Sequence, residues 1–356
     1  MPDDSRLGFG FIGCGSAAVP VAQAVAASAQ ATLAATYDLS PALARDLAER
    51  YGGTAHATLA ALLADAAVKA VYIAVPHHQL ATLAAQALEA GKHALVEKPM
   101  ALSLAEADHL IAVAEARGLG LGVNYDLRQS AQAKQARGLV QSGAIGEVVS
   151  VHIQTLIDKS PSYWREGLSG RWMNPWRASK LEAGGGVVLM NSSHQLDIVR
   201  FVTGLEVTHV SGQIGSLVAA VEVEDTASAS LRYHNGAIGS LFAGAQLAGA
   251  EPGSERIELY GREGQLRLPS LYGDSPVQLF LRRPWGEPAL AAGEWHTLSA
   301  APAAIYQATV DAFARSVRRG EAPSPGGHDA RAILTIVLGL YRAAEAQSVI
   351  VVEHAR

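Results

Sequence analysis

The chain has a single cysteine, Cys14, among its 356 residues. That excludes an internal disulfide and any metal site built from several thiolates. Long Lys or Arg blocks are also missing and the formal charge is -5, so neither nucleic acid nor an anionic membrane surface is expected as a main partner. No run reaches the roughly 18 to 20 apolar residues of a membrane span. The start, Met1-Pro2-Asp3-Asp4-Ser5-Arg6, lacks the basic opening and apolar core of a signal peptide. These absences leave a cytoplasmic enzyme with a small-molecule ligand as the expectation. At 49% apolar residues burial is ample, and the length exceeds what one core usually supports, so two domains are expected.

From Leu7 to about Val123, short β-rich runs (Leu7 to Ile12, Ala31 to Tyr37, Ala70 to Val75, His93 to Glu97, Leu119 to Val123) alternate with helical patterns (Val19 to Ala27, Pro41 to Arg50, Gln79 to Ala90, Leu104 to Arg117). Such alternation predicts βαβ units and a parallel sheet covered on both faces. After a helix at about Ser130 to Ser142 the runs lengthen: Val148 to Ile157, Val207 to Ile214, Val221 to Tyr233, Ala237 to Ala245 and Glu255 to Tyr260. Asn235-Gly236 is a hairpin turn between two of them. The second half therefore reads as an antiparallel sheet with helices at Val187 to Val202, Ile305 to Arg318 and His328 to Ala346. The change of pattern places the boundary at residue 124, giving domains 1–123 and 124–356.

Gly8-Phe9-Gly10-Phe11-Ile12-Gly13-Cys14-Gly15-Ser16-Ala17-Ala18 has the form of a dinucleotide-binding turn. Gly13 permits the tight turn and Gly15 lets backbone approach a pyrophosphate. Ser16 and Ala17 open a helix whose N–H groups and dipole favour an anion, and Ala18 is small enough for helix–strand contact. A tight turn without a ligand would read the same way. Asp38, closing the second run, can accept hydrogen bonds from the adenosine ribose and repels a 2′-phosphate, so NAD is expected over NADP. Its alternative role is as a cap for the helix near Pro41, which Ser40 could also fill. The third run ends at Pro76-His77-His78, with Pro76 turning His77 or Gln79 toward the cofactor. Adjacent histidines on a strand point to opposite faces and no carboxylate or cysteine partners lie nearby, so no metal is expected. The fourth run ends in Glu97-Lys98-Pro99, where proline restrains a lysine at the ligand-binding end of a parallel sheet.

In the second half, Gly184-Gly185-Gly186 precedes Met190-Asn191, His194 and Asp197. On a regular helix these four can share one face. A histidine beside an amide and a carboxylate suits acid–base work, with Asp197 orienting the ring. A structural histidine with a carboxylate partner is the competing reading. Trp164, Trp172 and Trp176 are interleaved with Arg165, Arg171 and Arg177 in one loop. Indole faces can pack on sugar C–H surfaces and arginine binds hydroxyls or a carboxylate, although the same aromatics could anchor the loop.

Together these motifs, with Gly122-Val123-Asn124, Arg128, Gly143-Ala144-Ile145-Gly146 and Val223-Glu224-Asp225-Thr226, resemble the Gfo/Idh/MocA oxidoreductase family over nearly the whole chain. The resemblance implies an α/β fold: an N-terminal Rossmann domain, then a C-terminal α+β domain with a large open antiparallel sheet, the active site lying between them. It implies oxidation of a secondary alcohol of a sugar, sugar derivative or cyclitol by a nicotinamide. Lys98 would bind the reacting hydroxyl and His194 would act as acid–base, with Asn191 and Asp197 assisting. Glu97, Pro76, His77 and Asn124 would join the cofactor site, and Arg128, Trp164, Trp176 and Arg177 the substrate site. Many members carry aspartate four residues before the histidine, where this chain has Met190; a thioether cannot bind a hydroxyl as a carboxylate does. Asn191 could supply a polar substitute. The histidine often found three residues after His77 is Leu80 here.

An open sheet needs its exposed face covered, so a homodimer or homotetramer is expected, with Glu224 and Asp225 as turn or interface residues. Two other functions fit the motifs: glycoside cleavage or elimination through transient oxidation by held NAD, and a non-catalytic sugar or nucleotide sensor.

Overall fold

In the computed structural model, residues 6–353 are described apart from 168, 172, 252 and 253. They form two compact units. The first comprises residues up to Asp126 together with Ser162–Gly184 and Ala304–Leu334. Its elements are β1 (Leu7–Ile12), α1 (Ala18–Ala27), β2 (Ala31–Tyr37), α2 (Pro41–Tyr51), β3 (Thr54–Ala55), α3 (Leu59–Ala64), β4 (Ala70–Ile73), α4 (His77–Glu89), β5 (His93–Val96), α5 (Leu104–Arg117) and β6 (Leu121–Val123). The six strands pair in the order β3-β2-β1-β4-β5-β6, all parallel.

Every residue of β1 and β4 is buried, as expected of parallel strands covered on both faces. α5 begins with a reciprocal capping box between Ser103 and Glu106 and stops at left-handed Gly118, so its ends are set by local sequence. Phe9 and Phe11 build the core, Phe11 against Tyr72 and Phe9 against Phe313, which arrives much later in the chain on a helix covering Ile305–Arg319.

The second unit comprises Leu127–Pro161, Gly185–Ala303 and Thr335–Arg356. It holds α6 (Ala131–Gln141) and β7 (Val148–Leu156). The short helices α7 (Tyr163–Glu166) and α8 (Lys180–Ala183) belong to the first unit. The second continues with α9 (Ser193–Thr203), β8 (Val207–Gly215), β9 (Thr226–Tyr233), β10 (Ile238–Gly244), β11 (Arg256–Gly261), β12 (Gly264–Leu268), β13 (Val277–Leu281) and β14 (Trp295–Leu298). The helix ending at Arg319 is α10; α11 (Gly327–Ala346) leads to β15 (Ile350–Val351). Nine strands pair in the order β14-β13-β12-β11-β7-β10-β9-β8-β15.

The expectation of an antiparallel sheet needs one correction: β7 and β10 are parallel, Ile238 opposite Ser150 and Gly244 opposite Leu156. Hairpins announce themselves in local turn residues, as Gly236 does at φ +87° between β9 and β10. The β7–β10 pair is joined by a long excursion with no such signal. The expected strand from Val221 starts only at Thr226, because the Asp225 carboxylate collects the backbone N–H groups of Leu217, Val218 and Ala219 and ties the preceding residues into a loop. Burial works to raise the pKa of Asp225, but these N–H donors outweigh it and hold the carboxyl below its usual range. The helix expected from Val187 is interrupted by a π turn at Val188–Ser192, from which α9 continues.

Candidate active site

Within the first unit, the glycine turn leaves β1 toward α1. Gly13 has φ +87°, and a Cβ there would sit 2.3 Å from the Ala74 carbonyl oxygen. At Gly15 a Cβ would meet nothing within 4 Å, so the backbone is open to close approach. Ala17 at the cap position of α1 makes no side-chain cap bond, and the Ala18 N–H donates to the Gly15 carbonyl at 3.2 Å, so the start of the helix is held by the glycine turn itself. Asp38 ties the turn to β2: its Oδ2 accepts from the Cys14 N–H at 2.7 Å and its Oδ1 from the Ser40 N–H at 2.7 Å. Ser40 takes the cap position of α2 without a side-chain cap bond. These residues fit a dinucleotide: an open glycine backbone, a helix start with no side-chain cap and a carboxylate at the end of the second strand. Burial and neighbouring Asp38 push the Cys14 thiol up to about 12, so it stays protonated and inert.

At the end of β5, Glu97 is fixed by its neighbours. Its Oε1 accepts from the Tyr72 hydroxyl at 2.5 Å and from the Asn124 amide at 2.6 Å. Asn124 thus serves to hold the strand end from which Lys98 emerges. His77 starts α4, buried, with Nδ1 2.8 Å from the Ala183 carbonyl oxygen and its ring 4.5 Å from that of Trp176. Burial, then the charge of Lys98, lower its pKa to about 3. His77 is therefore neutral at working pH and, with a donor on Nδ1 facing Ala183, positions rather than titrates.

That shift has a measurable consequence. Because the folded-state value lies below the ordinary 6.5, the unfolded chain binds the extra proton first, and this contribution to stability is lost as pH falls from about 6.5 toward 3. His77→Gln is expected to flatten the decline in unfolding free energy between pH 6.5 and 4, measured by urea titration; an unchanged slope would remove His77 from the acid response.

The aromatic segment packs on itself. Trp164 and Trp176 are buried, Trp164 edge-on to Tyr163. The Arg177 guanidinium lies 4.5 Å from the Trp176 ring centre and 5.3 Å from that of Tyr163. Trp172 lies outside the described residues. Three contacts were not legible beforehand: Arg171 donates to the Cys14 carbonyl at 2.9 Å and pairs with Asp46 at 2.6 Å, and Ser169 meets the Ser16 hydroxyl.

Within the second unit, Glu224 accepts from the N–H groups of Gly186 at 2.7 Å and Val188 at 3.0 Å and from the Tyr341 hydroxyl at 2.9 Å. A Cβ on Gly186 would lie 1.8 Å from the Glu224 carbonyl oxygen, and one on Gly185 would lie 2.0 Å from the Tyr341 hydroxyl, so this glycine run is needed for close approach. The π turn follows, carrying buried Met190 and half-buried Asn191. π turns insert a residue into the helical count, so the three- and four-residue spacings to His194 no longer define one face. Such turns recur at functional sites.

His194 lies in the first turn of α9, buried and edge-on to the Tyr272 ring at 6.2 Å. Tyr272, exposed on the loop after β12, had no sequence signal. Asp197 and Arg128 form a buried bidentate pair, Nε to Oδ2 at 2.8 Å and Nη2 to Oδ1 at 2.5 Å. Asn191 Oδ1 accepts from Lys159 Nζ at 2.6 Å. The structure thus joins Asp197 to Arg128 and Asn191 to Lys159, pairings that helical spacing did not anticipate. Among the described residues no group of His, Cys, Asp and Glu could hold a metal ion, and no helix is long and apolar enough to cross a membrane.

A parallel sheet with a glycine turn at α1 and a lysine at the end of β5 defines a dinucleotide-dependent enzyme fold. Residues 7–125 match the model of the oxidoreductase family with an NAD-binding Rossmann fold, and residues 133–267 match the GFO/IDH/MocA C-terminal domain. The chain belongs to the Gfo/Idh/MocA oxidoreductase family, with an NAD-binding Rossmann domain at its amino-terminal end. It is similar to 1,5-anhydro-D-fructose reductase of Ensifer adhaerens, 30% identical over 289 residues, 80% of this chain and 79% of that one. Levoglucosan dehydrogenase of Pseudarthrobacter phenanthrenivorans is 26% identical over 253 residues, 64% of this chain and 63% of that one. A solved levoglucosan dehydrogenase in complex with NADH superposes with a TM-score of 0.87 at 23% identity, covering 98% of this chain and 100% of that one, a likeness of fold.

Proposed function

We propose that this oxidoreductase transfers hydride between a secondary alcohol of a sugar, sugar derivative or cyclitol and NAD, working in the cytoplasm. The observation that carries the reading is the fixed Glu97 at the end of β5, which delivers Lys98 in the same unit as the glycine turn and Asp38. NAD bound there supplies the hydride acceptor. Residues 1–123 carry the nucleotide groups and 124–356 the substrate groups, with Trp164, Trp176 and Arg177 on the segment that packs with the first unit. Lys98 stabilises the alkoxide that develops as hydride leaves the alcohol carbon, and His194 takes the hydroxyl proton. Asn191 contacts the substrate; Asp197 and Arg128 hold α9, which carries His194. The names of the relatives, a levoglucosan dehydrogenase and an anhydrofructose reductase, support a cyclic sugar as substrate.

The test is a sugar and polyol panel, including levoglucosan, with NAD and NADP, following nicotinamide reduction and product mass together. Steady reduction supports the reading. Cleavage or elimination without net reduction replaces it, and binding without turnover indicates a sensor. Asp38→Ala is expected to lower the NAD-to-NADP ratio of kcat/KM by about tenfold, because it removes the charge that repels a 2′-phosphate; an unchanged ratio counts against that role.

We also propose a homodimer or homotetramer formed through the outer face of the second sheet. Cross-strand register aligns Ile238, Phe242, Tyr260 and Trp295 on that face, all exposed. Light scattering should then exceed the 37.1 kDa of one chain, and Phe242→Glu should shift the mass downward; a wild-type monomer would reject it.

A further inference from the structure

We infer that Lys159 is a positioning residue that fixes which end of the Asn191 amide faces the substrate, an inference that rests on the proposed redox function of this site. Lys159 follows β7, where the chain keeps pairing with the last residue of β10 and the one after it: Ile157 N–H donates to the Gly244 carbonyl and Lys159 N–H to the Ala245 carbonyl, each at 2.9 Å. Its backbone is therefore anchored to the sheet. Asn191 sits on the π turn that Glu224 ties down at Gly186 and Val188. The Nζ of Lys159 approaches Asn191 Oδ1 to 2.6 Å.

An ammonium group has donors only, so the amide atom facing it must be the oxygen. That removes the two-fold ambiguity of an asparagine side chain. The NH2 group is turned to the other side, and with apolar Met190 next to it, Asn191 offers the neighbouring space two N–H donors. The complementary substrate group is an oxygen acceptor, a ring hydroxyl or a carbonyl, rather than an ammonium. Lys159 acts on the reaction through Asn191 and takes no part in proton transfer.

The experiment is a double-mutant cycle with Lys159→Met, Asn191→Leu and the double variant, read as kcat and KM on the best panel sugar, with levoglucosan probed first. Lys159→Met is expected to raise KM about tenfold with kcat little changed, and the double variant should match Asn191→Leu within about threefold, the signature of one coupled contact. Lys159→Arg, another donor-only side chain, should restore most of the loss, whereas Lys159→Gln, which can donate or accept, should not. Independent, multiplying losses, or a Lys159→Met enzyme within twofold of wild type, would overturn the assignment. The same cycle is measured by urea denaturation: coupling there supports the contact and additivity rejects it, even if the wild-type chain turns over no panel sugar and the redox reading itself fails.

Discussion

Lys98→Met is expected to lower kcat/KM by about a thousandfold, while NAD affinity, measured by fluorescence titration, stays within a few fold. The size follows from the role proposed for Lys98: removing one preorganised donor to a developing oxyanion costs about 100- to 1,000-fold, and loss of assisted proton transfer adds to that. Methionine keeps the length of the side chain and removes the charge, so packing at the strand end is preserved. The surroundings make the result specific to Lys98. Glu97 is occupied by Tyr72 and Asn124, and His77 is neutral with its pKa near 3, so neither can replace the lost cation. A loss in kcat and kcat/KM with unchanged cofactor binding identifies an interaction made in the transition state. Retention of a tenth or more of wild-type activity would remove Lys98 from the chemistry.

Where local chemistry determines structure, the sequence was legible. The runs Leu7 to Ile12, Ala31 to Tyr37 and Leu104 to Arg117 coincide with β1, β2 and α5, because apolar continuity and end caps fix such elements from within. The glycine turn and Asp38 were legible for the same reason, and the Cys14–Asp38 bond joins them. What escaped depends on partners distant in the chain. Nothing near β7 announces a parallel neighbour in β10, and nothing near residues 162–184 or 304–334 says that they pack with the first unit. The π turn escaped because helical periodicity assumes a constant count; Glu224, distant in the chain, holds the N–H groups of Gly186 and Val188 just before it and at its start. Lys159 and Tyr272 carried no motif, and Arg171 stood out only as one arginine of the tryptophan-rich loop; each acquires its place through a tertiary contact with Asn191, His194 or Cys14.

Asp197 illustrates the same limit and carries the largest expected effect on stability. Spacing suggested it as a partner for His194, but both carboxylate oxygens accept from Arg128, which lies 69 residues earlier. Arg128 is 4% exposed and Asp197 1% exposed, so solvent screens the pair little. Arg128→Leu would leave the Asp197 charge buried against an apolar side chain, and is expected to cost about 3 to 5 kcal/mol in urea denaturation. The double variant Arg128→Leu, Asp197→Leu removes both desolvation penalties and should recover much of that loss, because replacing a buried pair by apolar groups is often near neutral. The comparison separates structure from catalysis. A double variant that regains stability and also regains turnover would make the pair a support for α9 alone. One that regains stability yet stays inactive would show that Asp197 or Arg128 acts on the chemistry directly, through His194 or the substrate. A single variant within 1 kcal/mol of wild type would mean that water or another group compensates the charge, and the pair would lose its place in holding the helix that carries His194.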